Sequence, residues 1–240
     1  MTVVFIAPIG SDARSWDRVP VAHAGVRHEL PGFGRPRATV PPTMASLADE
    51  LVAEHPGPLH LVGISMGGMV AQHAALRHPD RVASLLVACT GAATDPATME
   101  ARAQAAEEGG MEAVIDGTLE RWFTPEALLR DPPHPGVDYA RQTLQALDPR
   151  AFADGWRAIG GHDVRARLPE LAMPLTAVAG SADAASPLRR SEELADRAPN
   201  GRLAVVDGAP HMIHLECPDR FSSVVAEHLR WARAELGAAR

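Results

Sequence analysis

Short, almost unbroken apolar runs alternate along this chain with longer stretches in which apolar residues recur every three to four positions. Six runs have the length and β-branched content of strands: VVFIA at 3–7, VRHEL at 26–30, LHLVG at 59–63, SLLVAC at 84–89, LTAVAG at 175–180 and RLAVVD at 202–207. Most are bounded by Gly or Pro, and apolar residues fill them without alternating, as in strands buried on both faces of a parallel sheet. Between them the spacing predicts helices over 43–55, 67–77, 187–197 and 218–236, the first carrying Met44, Leu47, Leu51 and Val52 on one side. Strands alternating with helices make right-handed crossovers, so the expected fold class is α/β, a doubly wound and mostly parallel sheet of about six strands.

One stretch breaks this rhythm. Residues 94–171 contain no convincing strand, only helical pieces punctuated by Pro and Gly. Thr94 or Asp95 before Pro96, Thr124 before Pro125 and Asp148 before Pro149 each have the form of a capping residue followed by proline in the first turn. Placed between two parallel strands, such an insertion is expected to form a helical cap over the strands' carboxyl ends, where open α/β sheets bind ligands. The chain then divides into a core of residues 1–93 and 172–240 and an inserted cap of residues 94–171. No internal repeat and no low-complexity tract interrupts it.

Composition narrows the function classes. The chain's 240 residues suit one domain, and with 46% hydrophobic and 22% charged residues it has the balance of a folded soluble protein. Net charge is −7, and the 23 cationic residues are all arginine, scattered with no basic stripe, so nucleic acid is not an expected partner. The opening MTVVFIAPIG lacks the form of a signal peptide, and no run approaches the roughly 20 apolar residues that span a bilayer. Cys89 and Cys217 are far apart and have no metal-type spacing. Free thiols in a reducing cytosol are the expectation, with a cytoplasmic location and no membrane contact.

The chemistry centres on GISMGG at 63–68, which directly follows one predicted strand and directly precedes a helix. Gly-x-Ser-x-Gly in a strand–turn–helix setting is the form of a nucleophile elbow, and it marks Ser65. The flanking Gly63 and Gly67 supply clearance at the sharp turn. A serine hydroxyl needs a base within hydrogen-bond reach and an acid to hold that base, here in the chain order Ser, Asp, His. Asp183 lies in GSADAASP after the fifth predicted strand, and His211 lies in VVDGAPHMIH after the sixth. Asp95 is the substitute acid, Asp183 otherwise serving as a turn or capping residue, and His214 is the rival base, read as structural. The other histidines, including His23, His28, His60, His73 and His78, show no metal-ligand spacing, so neither a metal nor a cofactor is expected. The oxyanion would be held by the backbone N–H of Met66 and of Ile9, in the turn APIGSDARSW where Gly10 permits a tight bend.

These motifs resemble the α/β-hydrolase superfamily and, within it, the 3-oxoadipate enol-lactonase group. PIGSDARSWD looks like that group's segment after the first core strand, GISMGGMVAQHAALRHPDRVASLLVACTGA like its elbow, helix and next strand, and GMEAVIDGTLERWFTPE like its cap, including Arg121–Pro125. AIGGHDVRARLPELAMPLTAVAGSADAASP and HMIHLECPDRF are similar to its acid and base regions, so the likeness runs over most of the chain. The resemblance implies the α/β-hydrolase fold and hydrolytic opening of a small lactone by a triad without a cofactor. Two departures stand out. The chain starts at what would be the group's third strand, and ELPGFGRP at 29–36 replaces its Asp-x-Arg-Gly-His-Gly turn, which puts the substrate in question.

The expected reaction is attack by Ser65 on a lactone or small ester, with His211 as base and Asp183 as its partner. Trp122 and Phe123 either line the substrate pocket or pack the cap on the core. Two other classes stay open at this stage: a lyase, cyclase or rearrangement enzyme using the same residues, and a receptor-like protein that binds a small molecule. An uncovered edge strand invites pairing, and a homodimer is one way to cover it.

Overall fold

The computed structural model describes residues 1–238. Six strands form one sheet: β1 (Thr2–Ile6), β2 (Val26–His28), β5 (Leu59–Ile64), β6 (Val82–Ala88), β7 (Leu175–Gly180) and β8 (Gly201–Val206). Their order is β2-β1-β5-β6-β7-β8, and every ladder is parallel. The predicted strand at 26–30 stops at His28, which pairs with Ile6 at the end of β1; beyond it the chain has no neighbour in the sheet. Leu30 turns away into a two-residue ladder, β3 (Leu30–Pro31) with β4 (Gly34–Arg35).

Burial on both faces explains the unbroken apolar runs. Leu59 and Leu61 of β5 belong to the cluster that takes in α1 (Met44–Glu54) and α2 (Met66–Arg77), whereas Val62 and Ile64 belong to a second cluster. That second cluster holds Phe221 and Val225 of α9 (Pro218–Ala238) on the opposite face. The edge strand β8 differs: Leu203 is 40% and Val205 47% exposed, so its apolar run is only partly covered. Thr43 caps α1 through a reciprocal pair of hydrogen bonds with Ser46. A buried polar chain crosses the sheet: His60 Nδ1 is 2.7 Å from Ser84 Oγ, which is 3.0 Å from His228 Nε2, whose Nδ1 is 2.8 Å from Thr176 Oγ1.

Between β6 and β7 the chain is helical: α3 (Pro96–Trp122), α4 (Pro125–Leu129), α5 (Pro135–Gln145), α6 (Pro149–Gly160) and a 3-10 turn at Arg165–Glu170. Asp95, Thr124 and Asp148 cap α3, α4 and α6 from the positions where the Pro-flanked pattern put them. The cap of α5 is less legible in sequence. His134 supplies it, its Nδ1 accepting from Gly136 N–H at 3.1 Å. Gly110, at φ 71°, kinks α3 in its middle. After β7 come α7 (Arg189–Arg197), β8 and the short α8 (Ile213–Glu216).

Candidate active site

The turn from β5 into α2 holds Ser65 at φ 50°, ψ −116°, a strained conformation for a residue with a side chain. Tertiary contacts enforce it. Ser65 N–H donates to the Ala88 carbonyl at 2.9 Å, fastening the turn to β6. A methyl group on Gly63 would lie 2.3 Å from the Gly67 carbonyl oxygen, and one on Gly67 would lie 2.2 Å from that of Ile6. Both glycines are therefore steric requirements, and the second brings the start of α2 against the end of β1.

The parallel register leaves the loops after β1, β5, β6, β7 and β8 on one edge of the sheet. A methyl group on Gly180 would sit 2.2 Å from the Ala209 carbonyl oxygen, so the loops after β7 and β8 are pressed together. Asp183 comes from the first and His211 from the second. His211 Nδ1 lies 3.0 Å from Asp183 Oδ2 and 3.1 Å from Oδ1, and its Nε2 lies 3.0 Å from Ser65 Oγ. Asp183 Oδ1 also accepts from the N–H groups of Ala185 and Ser186, both at 2.8 Å. Burial raises the Asp183 pKa, but the nearby His211 charge, its hydrogen bond and these two N–H groups outweigh it and hold the carboxyl below its ordinary range.

The rivals fall elsewhere. Asp95 spends its carboxylate on the N–H and hydroxyl of Thr98 at the start of α3. His214 is fully buried against Trp16, ring centroids 4.9 Å apart, with no hydrogen-bond partner on either nitrogen. Burial, with help from the His211 charge, pushes it down to about 3, so it stays neutral. Cys89, buried behind the Ser65 turn at φ 52°, has its thiol pushed up by burial and by Asp183.

A cavity of about 140 Å³ opens over Ser65 and His211. Ile9 lines it from the sheet side; Met99, Trp122, Trp156 and Ile159 line it from the helices. Of the two aromatic candidates only Trp122 reaches it, whereas Phe123 is buried in the core cluster without lining it. Met66, next to Ser65, is 1% exposed, as is Ile9. Gly10 has φ 73° and is wedged beneath Leu144, Trp122 and Phe152. The 29–36 turn does not line the cavity; its Phe33 is buried close to Ile9 and Gly155, and the turn faces a separate open groove. The helices are tied to the histidine loop, because Met212 N–H donates to the Trp122 carbonyl at 3.0 Å and Glu216 accepts from Thr124 N–H and Oγ1 at 3.1 and 2.6 Å.

Among the described residues two groups bring potential metal ligands within 4.8 Å: Cys89 with Asp183 and His211, and His28 with Glu54 and His55. In the first, both histidine nitrogens are already engaged. The second gathers histidines that sequence spacing did not relate, and Arg35 pairs with its Glu54 at 2.9 Å.

Comparison with known proteins fits this geometry. The model of the alpha/beta hydrolase family matches residues 3–224. The chain belongs to that family. A pimeloyl-(acyl-carrier protein) methyl ester esterase of Chromobacterium violaceum is 32% identical over 214 residues, 84% of this chain and 82% of its own length. The 3-oxoadipate enol-lactonase 1 of Acinetobacter baylyi is 26% identical over 92% of this chain and 86% of its own. The crystal structure of the enol-lactonase from Burkholderia xenovorans superposes with a TM-score of 0.89 at 26% identity, covering 95% of this chain and 90% of that one. With esterases and enol-lactonases among its relatives, this α/β hydrolase is a carboxylic ester hydrolase. No helix among its described residues is long and apolar enough to cross a membrane.

Three charged residues of the hydrolase's cavity escaped sequence reasoning: Arg102 and Arg121 of α3 and Arg190 of α7. In a chain whose cations are all arginine, nothing local distinguishes them. Arg121 alone carried a signal, its place beside Trp122 in the resembling cap stretch.

Proposed function

We propose that the enzyme cleaves a small carboxylic ester or lactone through an acyl-enzyme on Ser65, with residues 94–171 acting as the cap. The observation that carries this is the unbroken hydrogen-bond chain from Ser65 through His211 to Asp183, opening into the cavity. His211 Nε2 takes the hydroxyl proton as Ser65 Oγ attacks the carbonyl carbon, and Asp183 holds the ring orientation and balances the imidazolium charge. The oxyanion then faces the backbone N–H groups of Met66 and Ile9, each such donor contributing about 2.7–4 kcal/mol to the barrier reduction in comparable hydrolases. His211 returns the proton to the leaving oxygen; in a lactone that oxygen stays tethered to the acyl group. Water, deprotonated by the same histidine, releases the acid. Trp122 forms part of the apolar wall against the substrate. The free Cys89 and Cys217 support a reducing, cytoplasmic setting.

The test is hydrolysis of short methyl esters and a small enol-lactone in ¹⁸O-water, wild type against Ser65→Ala. One ¹⁸O atom in the acid product, and turnover abolished in the variant while its circular dichroism stays native, are the expected results. Turnover that survives Ser65→Ala, or product without label, removes the acyl-enzyme and points to lyase or cyclase chemistry.

A further inference from the structure

The three-residue strand β2, at one edge of the sheet, ends on His28, and α1 ends on Glu54 with His55 as its capping residue. Although 27 residues separate the two histidines, folding turns their ring nitrogens toward each other. His28 Nδ1 lies 3.1 Å from His55 Nε2 and 3.4 Å from Glu54 Oε2, and the three atoms all fall within 4.8 Å of one another. The rings stand at 78°, so the nitrogens converge instead of stacking. None of these residues lines the catalytic cavity.

A proton serves this junction poorly. Only one fits between two imidazole nitrogens 3.1 Å apart, so an imidazole lone pair and the Glu54 oxygen both face inward. The surrounding charge also favours a cation. Arg35 donates through Nη1 to Glu54 Oε1 at 2.9 Å and pairs through Nη2 with Glu50 at 2.6 Å. Two carboxylates thus surround one guanidinium, leaving a negative charge in excess, and the bond to Oε1 fixes the carboxylate while Oε2 is left to His28. Rigid backbone carries both rings: His28 sits in the ladder against Ile6, and Arg81 Nη2 donates to the His55 carbonyl at 2.7 Å.

Ligand atoms bound to tetrahedral zinc at about 2.0–2.1 Å stand roughly 3.3–3.4 Å from one another. The separations of 3.1 and 3.4 Å at His28 Nδ1 are already close to two edges of that tetrahedron. Two imidazoles and one carboxylate suit zinc or a neighbouring transition metal better than Mg²⁺ or Ca²⁺, which take oxygen ligands. We infer that His28 Nδ1, His55 Nε2 and Glu54 Oε2 form a zinc site, its fourth position left to water, that fastens the edge strand β2 to the end of α1. This goes beyond the hydrolase reading and does not depend on it.

The experiment strips untagged protein with EDTA, then titrates it with Zn²⁺ by calorimetry and with Co²⁺ by visible absorption. The samples are wild type, His55→Gln, Glu54→Gln, His28→Gln and, for the cluster of Cys89 with Asp183 and His211, Cys89→Ser. Wild type is expected to bind one Zn²⁺ per chain with a Kd of about 1 µM and to show the intense visible bands of tetrahedral Co²⁺. Its Tm is expected to rise by roughly 5–10 °C with Zn²⁺ in about 100-fold excess over Kd. Each of the three ligand variants is expected to bind about 100-fold more weakly or worse, and Cys89→Ser to bind as wild type does. Should buried His28→Gln lose its fold, the more exposed His55→Gln and Glu54→Gln carry the test. Absence of Zn²⁺ binding in wild type overturns the inference, as does binding that the ligand variants keep or that Cys89→Ser alone removes. The faint bands of octahedral Co²⁺ would overturn it as well.

Discussion

The two sides of the active-site cavity handle charge in opposite ways. On the sheet side each charged or hydrogen-bonding group of the Ser65–His211–Asp183 chain has its partner, and Asp183 alone accepts from His211, Ala185 and Ser186. On the helical side Arg102 and Arg121 face the same space without a carboxylate ion pair among the described residues, although Arg157, nearby on α6, is doubly paired. In the proposed mechanism these groups must be oriented before substrate arrives, and the fold satisfies their hydrogen bonds in advance. The helical side instead leaves half-buried guanidinium groups without a carboxylate partner among the described residues.

The sharpest way to break this comparison is on the sheet side. Asp183→Asn removes the charge that balances the His211 imidazolium and leaves the ring's orientation to a neutral amide. It is expected to lower kcat about 10⁴-fold with KM little changed; a loss under tenfold in steady-state kinetics would mean the prearranged acid is dispensable. Next in size is Gly67→Ala, whose methyl group has no space against the Ile6 carbonyl. A destabilisation of about 3 kcal/mol, or roughly 6–12 °C in Tm by calorimetry, is expected, and an unchanged Tm would show that the turn can yield.

Acid should loosen the sheet side in particular. His214 and His228 are buried there, burial being the main cause that pushes each from 6.5 to about 3. Their folded pKa is lowered, so the unfolded chain takes up the extra protons. Their share of stability is whole above pH 6.5 and drains away as pH falls from there toward 3. Urea midpoints should therefore drop between pH 7 and pH 5.5 by about 1 kcal/mol per histidine. A flat profile, or one that His228→Gln does not flatten, would contradict this. The smallest effect belongs to the paired cation: Arg157→Met loses two partly exposed ion pairs, costing about 1 kcal/mol or less by urea unfolding. A larger loss would mean that these pairs count for more than exposed ones do.

Much of this was legible in the chain. Continuous apolar runs announced strands covered on both faces, and each of the six lies within two residues of its predicted start. The capping residues before Pro96, Pro125 and Pro149 marked three helix starts correctly, because side-chain capping and proline's fixed φ are local effects. Ser65 was singled out by its Gly-x-Ser-x-Gly turn and Asp183 and His211 by their loops after strands, and contacts of 3.0 Å bring the three side chains together. Other features were not legible. The end of β2 at His28 depends on where β1 stops, and α5 is capped by a histidine, an uncommon choice. Phe123 and Trp122 are neighbours in sequence, yet only the tertiary packing decides that one lines the cavity and the other the core. The turn at 29–36 carries a departure from the resembling group but does not line the cavity.

By itself the sequence determined the α/β alternation, the elbow with its strained serine and the order of the groups that follow it. These depend on interactions within a few residues or on a periodicity that any buried strand must show. Only the tertiary structure decided which arginines, in a chain whose cations are all arginine, lie unpaired in the cavity. Whether a cation is neutralised is a property of what folds against it, and Glu100 reaches Arg157 across 57 residues while no carboxylate among the described residues pairs with Arg102.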